Sequence, residues 1–242
     1  MRRSRPNSNS SSATVAHKNV DIPIVVKGLR RETPGHVSLV FARPPAFDYE
    51  AGDWIDLAFA KELTGGKTYS LSSAPTEPDL AITFKEGQSG IKRTLQSASP
   101  GDHYRLTAYG NDYEFSLRRH RNSVLIAAGV GIAPFRSMIA GMADRSSADS
   151  VQLIYLNRTA DFLFREEFEH WQTQLPAVSI HYVVTQGMKS KERRRLLQES
   201  VDSSVHYYYI AGPPAMIEST EVVLMDAGVD HGDIRIDSFD GY

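Results

Sequence analysis

Two stretches of this 242-residue chain carry residue types suited to holding phosphate. In AAGVGIAPFRSM an apolar run leads straight into Gly129-x-Gly131, and a helical pattern begins near Pro134. Glycines let the chain turn sharply and let a dinucleotide phosphate approach the backbone, while proline opens a helix without wasting a needed donor. The third glycine of the Rossmann fingerprint is missing, since Pro134 stands in its place. In FKEGQSGIKRTL (Phe84–Leu95), Gly87, Ser89 and Gly90 precede a short helical pattern. Free N–H groups at its start, with Lys92 and Arg93 beside them, suit an anion equally well as a capped, solvated surface helix. Two further segments stand at intervals: KTYSLSSAP at Lys67–Pro75, and YIAGPPAM at Tyr209–Met216 followed by a DSFDGY terminus. Alone, each reads as an ordinary strand with its flanking turn.

The elements that must position these residues change character near Arg118–Asn122. Before that point, short strands such as Asp21–Val26, His36–Ala42, Asp53–Phe59, Leu80–Phe84 and His103–Tyr109 alternate with turn residues, including Pro44-Pro45, Gly52, Gly65-Gly66 and Pro75. This rhythm predicts a small antiparallel barrel or sandwich, with a helix in SGIKRTLQ capped by Ser89. After it, apolar runs begin at Val124, Val151, Val178 and Val205, every 27 residues, with a fifth from Ile234. Unalternating apolar strands suit a parallel sheet buried on both faces. Between them, Phe135, Met138, Ile139 and Met142 follow helical spacing. The prediction is a disordered tail over 1–18, an antiparallel barrel over 19–118 and a doubly wound α/β domain over 119–242.

Taken in order, the segments resemble those of the ferredoxin–NADP reductase superfamily. Lys67-Thr68-Tyr69-Ser70 is similar to that family's Arg-x-Tyr-Ser flavin motif, with lysine in place of arginine. The resemblance implies that Tyr69 packs on the isoalloxazine ring, that Ser70 places its hydroxyl near the hydride-accepting N5, and that Lys67 and Thr68 belong to the flavin site. It extends the cradle for the flavin phosphates to Phe84, Lys85, Gly90, Ile91 and Lys92. Gly129, Gly131, Ile132, Ala133 and Pro134 become the nicotinamide-nucleotide loop. Asn157 and Arg158 fall beside the adenosine ribose, where Arg158 pairing with a 2′-phosphate favours NADPH over NADH. Ala211-Gly212-Pro213 stands where many members have Cys-Gly-Pro, with Met216 following. The tail implies Phe239 or Tyr242 over the flavin face and Asp237 orienting the active site. The implied catalytic set is Ser70, Tyr69, Asp237 and Ala211.

That resemblance implies a flavin-dependent oxidoreductase that takes hydride from NAD(P)H onto FAD, with FMN second by family habit. Electrons then pass to an external acceptor: a ferredoxin, a flavodoxin or an oxygenase component. A non-catalytic flavin- or nucleotide-binding regulatory subunit with the same fold is the alternative.

Composition limits the other classes. There are no cysteines, so disulfides, Cys-ligated clusters and thiol relays are excluded within this chain. A net charge of −2 gives no global attraction to nucleic acid or anionic membrane. No apolar run approaches the roughly 20 residues that cross a bilayer. HExxH, GxSxG, the Walker loop and a Cys/His metal set are all missing, and no metal site is expected. His36, His103, His181 and His206 read as structural or surface residues. Lys189–Leu197 is the one basic cluster, either a solvated helix start or a steering surface for an acidic acceptor. The expected location is cytoplasmic, with organelle import through the Arg- and Ser-rich tail as the alternative.

Overall fold

A computed structural model of the chain describes residues 16–59, 62–112, 114–202 and 204–239. Its first half is a six-stranded antiparallel sheet: β1 (Ala16–Thr33), β2 (His36–Ala42), β3 (Trp54–Phe59), β4 (Glu62–Ser70), β5 (Asp79–Lys85) and β6 (His103–Asn111). The strands lie in the order β4-β3-β6-β1-β2-β5. The sheet curls until a bridge between Leu71 and Ile82 brings the end of β4 onto β5, where the Ser72 amide donates to the Ala81 carbonyl at 2.8 Å. Side chains alternate across each strand, and the inward set fills the curl. Leu39, Phe41, Ile55, Leu57, Leu80, Ile82, Phe84 and Leu106 are all fully buried.

Two strands run further than their residue pattern predicts. β1 spans 18 residues because register shifts between Asn19 and Ile22 and between Val26 and Gly28 let it follow the curl past Pro23 and Gly28. Each shift breaks the period-2 alternation by which a strand is recognised. The last three residues of the predicted tail, Ala16 to Lys18, pair with β6 at Asn111 to Tyr109. β4 likewise continues through Gly65-Gly66, which read as a turn. Helix α1 (Gly90–Gln96) follows β5, with the Ser89 hydroxyl accepting from the Lys92 amide at 3.3 Å.

The second half is a five-stranded parallel sheet: β7 (Ser123–Ala128), β8 (Val151–Asn157), β9 (Val178–Val184), β10 (Tyr207–Gly212) and β11 (Ile234–Ser238). The order is β11-β10-β7-β8-β9. Helices α2 (Ala133–Asp144), α3 (Arg165–Gln174), α4 (Ser190–Gln198) and α5 (Pro214–Asp226) connect the strands. The continuous apolar character of these strands has a direct cause. Leu125 and Ala127 enter one core with Phe135, Ile139 and Phe168, while Val124 and Ile126 enter another with Leu197, Ile217 and Leu224. β8 and β10 divide in the same way. β9, at the edge, instead alternates buried and exposed residues, with His181 exposed.

After β9 the chain returns to the other side of β7, so strand order reverses between β7 and β10. Loops leaving the carboxyl ends of two strands that diverge there frame a crevice. The Gly129 turn leaves β7 and Gly212-Pro213 leaves β10, so both bound that crevice.

Because both faces of β7 are covered, Leu125→Ala and Ile126→Ala should each cost about 2–5 kcal/mol, although they point in opposite directions. Urea denaturation of the two variants checks this. Near-neutral behaviour of either one would mean that its face is not packed.

Candidate functional site

The end of β4 presents Tyr69 and Ser70 to opposite sides. Tyr69 is only 2% exposed, its ring centroid is 6.2 Å from that of Phe84, and its hydroxyl has no hydrogen-bond partner among the described residues. Burial pushes the Tyr69 phenol up. A buried phenolic hydroxyl left unmatched costs about 1–3 kcal/mol, which a polar ligand atom at the same place would recover. Ser70 points across to the parallel sheet. Its hydroxyl donates to Oδ2 of Asp237 on β11 at 2.6 Å, joining positions 167 apart in the chain. Burial pushes the Asp237 carboxyl up to about 6; the Ser70 hydrogen bond pulls it down, and the charge of Asp112 pushes it further up. Asp112 follows β6, and its Oδ1 is buried without a partner among the described residues.

Below this point the curled sheet gathers cations. Lys67 of β4, Lys85 of β5 and Lys92 of α1 lie close enough that Lys92 is held below the usual lysine value, first by burial and then by repulsion from Lys67 and Lys85. The Lys92 side chain lies along Gly87, where an added Cβ would sit 2.7 Å from Lys92 Cδ. Burial, with Lys85 and Lys92, also lowers His36. Three mutually repelling ammonium groups form a site complementary to a polyanion. The other expected cradle residues are placed differently from one another. Phe84 is fully buried in the sheet core, Ile91 packs partly buried against it, and Gly90 is exposed at the first position of α1. Thr68 is exposed, and its hydroxyl donates to Asp56.

Across the cleft, Gly129 to Ile132 wind into a single 3-10 turn that runs into α2, with Pro134 in the first helical turn. Gly129 takes φ +54°, a conformation favourable to glycine. Its carbonyl accepts from the Tyr155 hydroxyl at 3.1 Å, and that oxygen accepts in turn from the Leu163 amide. Gly131 is required by space, since a Cβ there would lie 2.3 Å from the Ala211 carbonyl oxygen. The two glycine-bearing segments therefore touch backbone to backbone, with Ile132, Ala133 and Ala211 buried beneath. An added Cβ on Gly212 would meet Met216 Cε at 2.6 Å, and the Gly212 carbonyl accepts from the Phe239 amide at 3.1 Å. Pro213 is exposed at the start of α5.

Beyond β8 the Asn157 amide is turned into its own loop, donating to the carbonyls of Thr159 and Asp161 at 3.3 and 2.9 Å. Arg158 is exposed, and Asp161 is engaged by the Thr159 hydroxyl at 2.9 Å. In the basic cluster on α4, Arg194 pairs with Asp226 and Arg195 with Glu199. Tyr242 lies outside the described residues. The structure thus brings Tyr69, Ser70, Asp237, Gly131, Ala211, Gly212 and Phe239 to one cleft, with the lysine cluster at its barrel end. Sequence reasoning missed Asp112, which no local motif marks.

Residues 125–222 match the family model of the oxidoreductase NAD-binding domain. The chain is 28% identical over 196 residues to dual oxidase 1 of Rattus norvegicus, covering 72% of this chain and 12% of that protein. It is 25% identical over 219 residues to the glycine betaine monooxygenase reductase subunit of Chromohalobacter salexigens, covering 81% of this chain and 58% of the subunit. It therefore spans only part of the length of these curated relatives. A solved ferredoxin NADP+ reductase from Neisseria gonorrhoeae, with bound FAD and NADP, shares the fold at a TM-score of 0.77 and 20% identity, covering 90% of this chain and 98% of that one. No helix among the described residues is long and apolar enough to cross a membrane.

The raised Asp237 carboxyl has a thermodynamic consequence. In the unfolded chain it ionises near 3.8, and in the folded chain near 6. Its contribution therefore turns against folding as pH rises through that window, by about 1–3 kcal/mol above it. Asp237→Asn keeps an oxygen that accepts from Ser70 and removes the titration. Its melting temperature relative to wild type should climb between pH 4 and 6 and then level off. A pH-independent difference would contradict the assignment.

Proposed function

We propose, from the match of residues 125–222 to the oxidoreductase NAD-binding domain and the fold shared with a solved ferredoxin NADP+ reductase, that the chain is an NAD(P)H-dependent flavoprotein reductase. FAD is bound by the curled sheet, the nicotinamide nucleotide by the parallel sheet, and an external carrier takes the electrons. The observation that carries this reading is the buried, unpartnered Tyr69 hydroxyl beside a Ser70 already engaged across the cleft by Asp237. An unmatched polar group so deeply buried fits a ligand that brings polar atoms into an aromatic site. When bound, the flavin supplies an acceptor for hydride and a ring that releases electrons singly or in pairs.

The remaining roles belong to this chain's own residues. Lys67, Lys85 and Lys92 neutralise cofactor phosphate, and three cations match a pyrophosphate better than a single phosphate, which favours FAD over FMN. Lysine offers point charges in place of an arginine fork, so charge number substitutes for bidentate geometry. Ser70 and Asp237 form a hydrogen-bonded pair at the cleft, and a carboxyl ionising near 6 holds or releases a proton close to neutral pH. The turn at Gly129–Ile132 leaves backbone room for the nucleotide pyrophosphate. Exposed Arg158 pairs with a ribose 2′-phosphate, so NADPH is the preferred donor. The acceptor is a ferredoxin, a flavodoxin or an oxygenase component; the likeness to a monooxygenase reductase subunit supports the last of these.

The purified protein should be yellow or become so with FAD, and NADPH should bleach it without oxygen. A protein that stays colourless after reconstitution with FAD or FMN would overturn the reading. Arg158→Ala should lower the NADPH-over-NADH preference by about tenfold or more in single-turnover reduction, as loss of one charge-assisted pair implies. An unchanged preference removes Arg158 from that role.

A further inference from the structure

Arg136 is 4% exposed, on the first turn of α2 directly behind the glycine turn. A guanidinium has five N–H donors, and here five hydrogen bonds leave it. Nε and Nη2 donate to Glu167 at 2.8 and 2.6 Å; Nη1 and Nη2 donate to Glu77 at 2.8 and 3.1 Å; Nη1 also donates to the Ser72 carbonyl at 2.8 Å. The rings of Phe164 and Trp171 lie 5.3 and 5.5 Å from the guanidinium carbon. Glu167 belongs to α3, on Arg136's own side of the cleft. Glu77 and Ser72 belong to the segment after β4, on the opposite side.

That segment is a stiff strut. Glu77 also accepts from the Ala74 amide, Arg43 donates to the Pro75 carbonyl, and the Tyr49 hydroxyl donates to the Ser73 carbonyl at 3.1 Å. Ser72 is two residues beyond Ser70. Burial alone would raise the Glu77 carboxyl, but its bonds to Arg136 outweigh burial and hold it below the usual carboxylate value. One cation facing two carboxylates leaves an uncompensated charge in a largely buried place. Such sets stabilise poorly compared with apolar packing, because desolvation offsets most of the attraction. What the directed bonds do supply is geometry: the three to Glu77 and Ser72 tie the nucleotide-side helix to the strand end that carries Tyr69 and Ser70, and the two to Glu167 brace the guanidinium.

We propose that Arg136, through Glu77 and Ser72, is a positioning residue that sets the width of the cleft across which hydride passes. The proposal rests on the reductase reading above. Transfer between two bound partners is steep in distance, and a shift of about 1 Å can cost about 100-fold. The two carboxylates divide the test, since Glu77 joins the halves of the molecule and Glu167 only braces Arg136 within one half.

Anaerobic stopped-flow reduction at saturating NADPH should show wild type bleaching. Glu77→Gln, still flavin-loaded, should bleach about 10- to 100-fold more slowly with its nucleotide Kd within about threefold of wild type. Glu167→Gln should stay within about threefold of wild type even where its melting temperature falls as far. Should Glu77→Gln not fold, Glu77→Asp, which keeps the charge and shortens the reach, takes its place with the same expectation. A wild-type rate in the Glu77 variant overturns the proposal. So do equal slowing in both variants in step with lost Tm, and slowing that appears only as a weaker nucleotide Kd. A wild-type protein whose bound flavin is not bleached overturns the reductase reading itself, and this proposal with it; that outcome is seen before any variant is read.

Discussion

The guanidinium of Arg136 is where the two halves of this molecule are held to one geometry. Each sheet has its own core and its own reason to fold: Leu39 to Leu106 inside the curl, and two separate cores on the faces of the parallel sheet. Apolar packing also crosses between them, with Phe115 against Phe135 and Tyr209 and Ala51 packed on the same core. Across the same junction run polar contacts with strict directional demands: Arg136 to Glu77 and Ser72, Ser70 to Asp237, and Thr76 to Asp144. Hydrogen bonds suit this task better than apolar contact, because their strength falls steeply with distance and angle. The cleft is therefore bounded by directed bonds laid over apolar packing that joins the two layers.

The two departures from the superfamily pattern look different in three dimensions. Lysine at position 67 reads alone as a weakened phosphate grip. It stands with Lys85 and Lys92, and burial together with repulsion from Lys67 and Lys85 lowers Lys92. A cluster of that kind favours an anion through the number of its charges. Alanine at 211 reads as the loss of a thiol from the chemistry. In the fold it is fully buried, with its carbonyl directly under Gly131. The backbone of this residue shapes the cleft, and the backbone is unchanged by the substitution.

Much of the architecture was legible because the signals were local. Ser89 and the helix it caps lie within eight residues, and a capped helix depends on little else. β7, β8 and β10 announced themselves through largely apolar runs, since helices cover both faces. β1 was not legible beyond Asp21–Val26, because each register shift that bends it around the curl also breaks its alternation. The glycine turn and the Tyr69-Ser70 pair were readable as a family pattern, and they do meet at one cleft. Asp112, Glu77 and Glu167 carried no pattern, since each matters only through a partner that the chain brings to it from elsewhere.

By itself, the sequence determined the two layers, their order, and the places where strands give way to glycine turns. Periodicity, capping and turn chemistry operate over a few residues, and they are written in residue types. Only the tertiary structure decided which side chains face one another across the cleft. Ser70 meets Asp237 from 167 positions away, and Arg136 meets Glu77 from 59. Contacts at such separations depend on how the two sheets dock, and no window of sequence contains both partners.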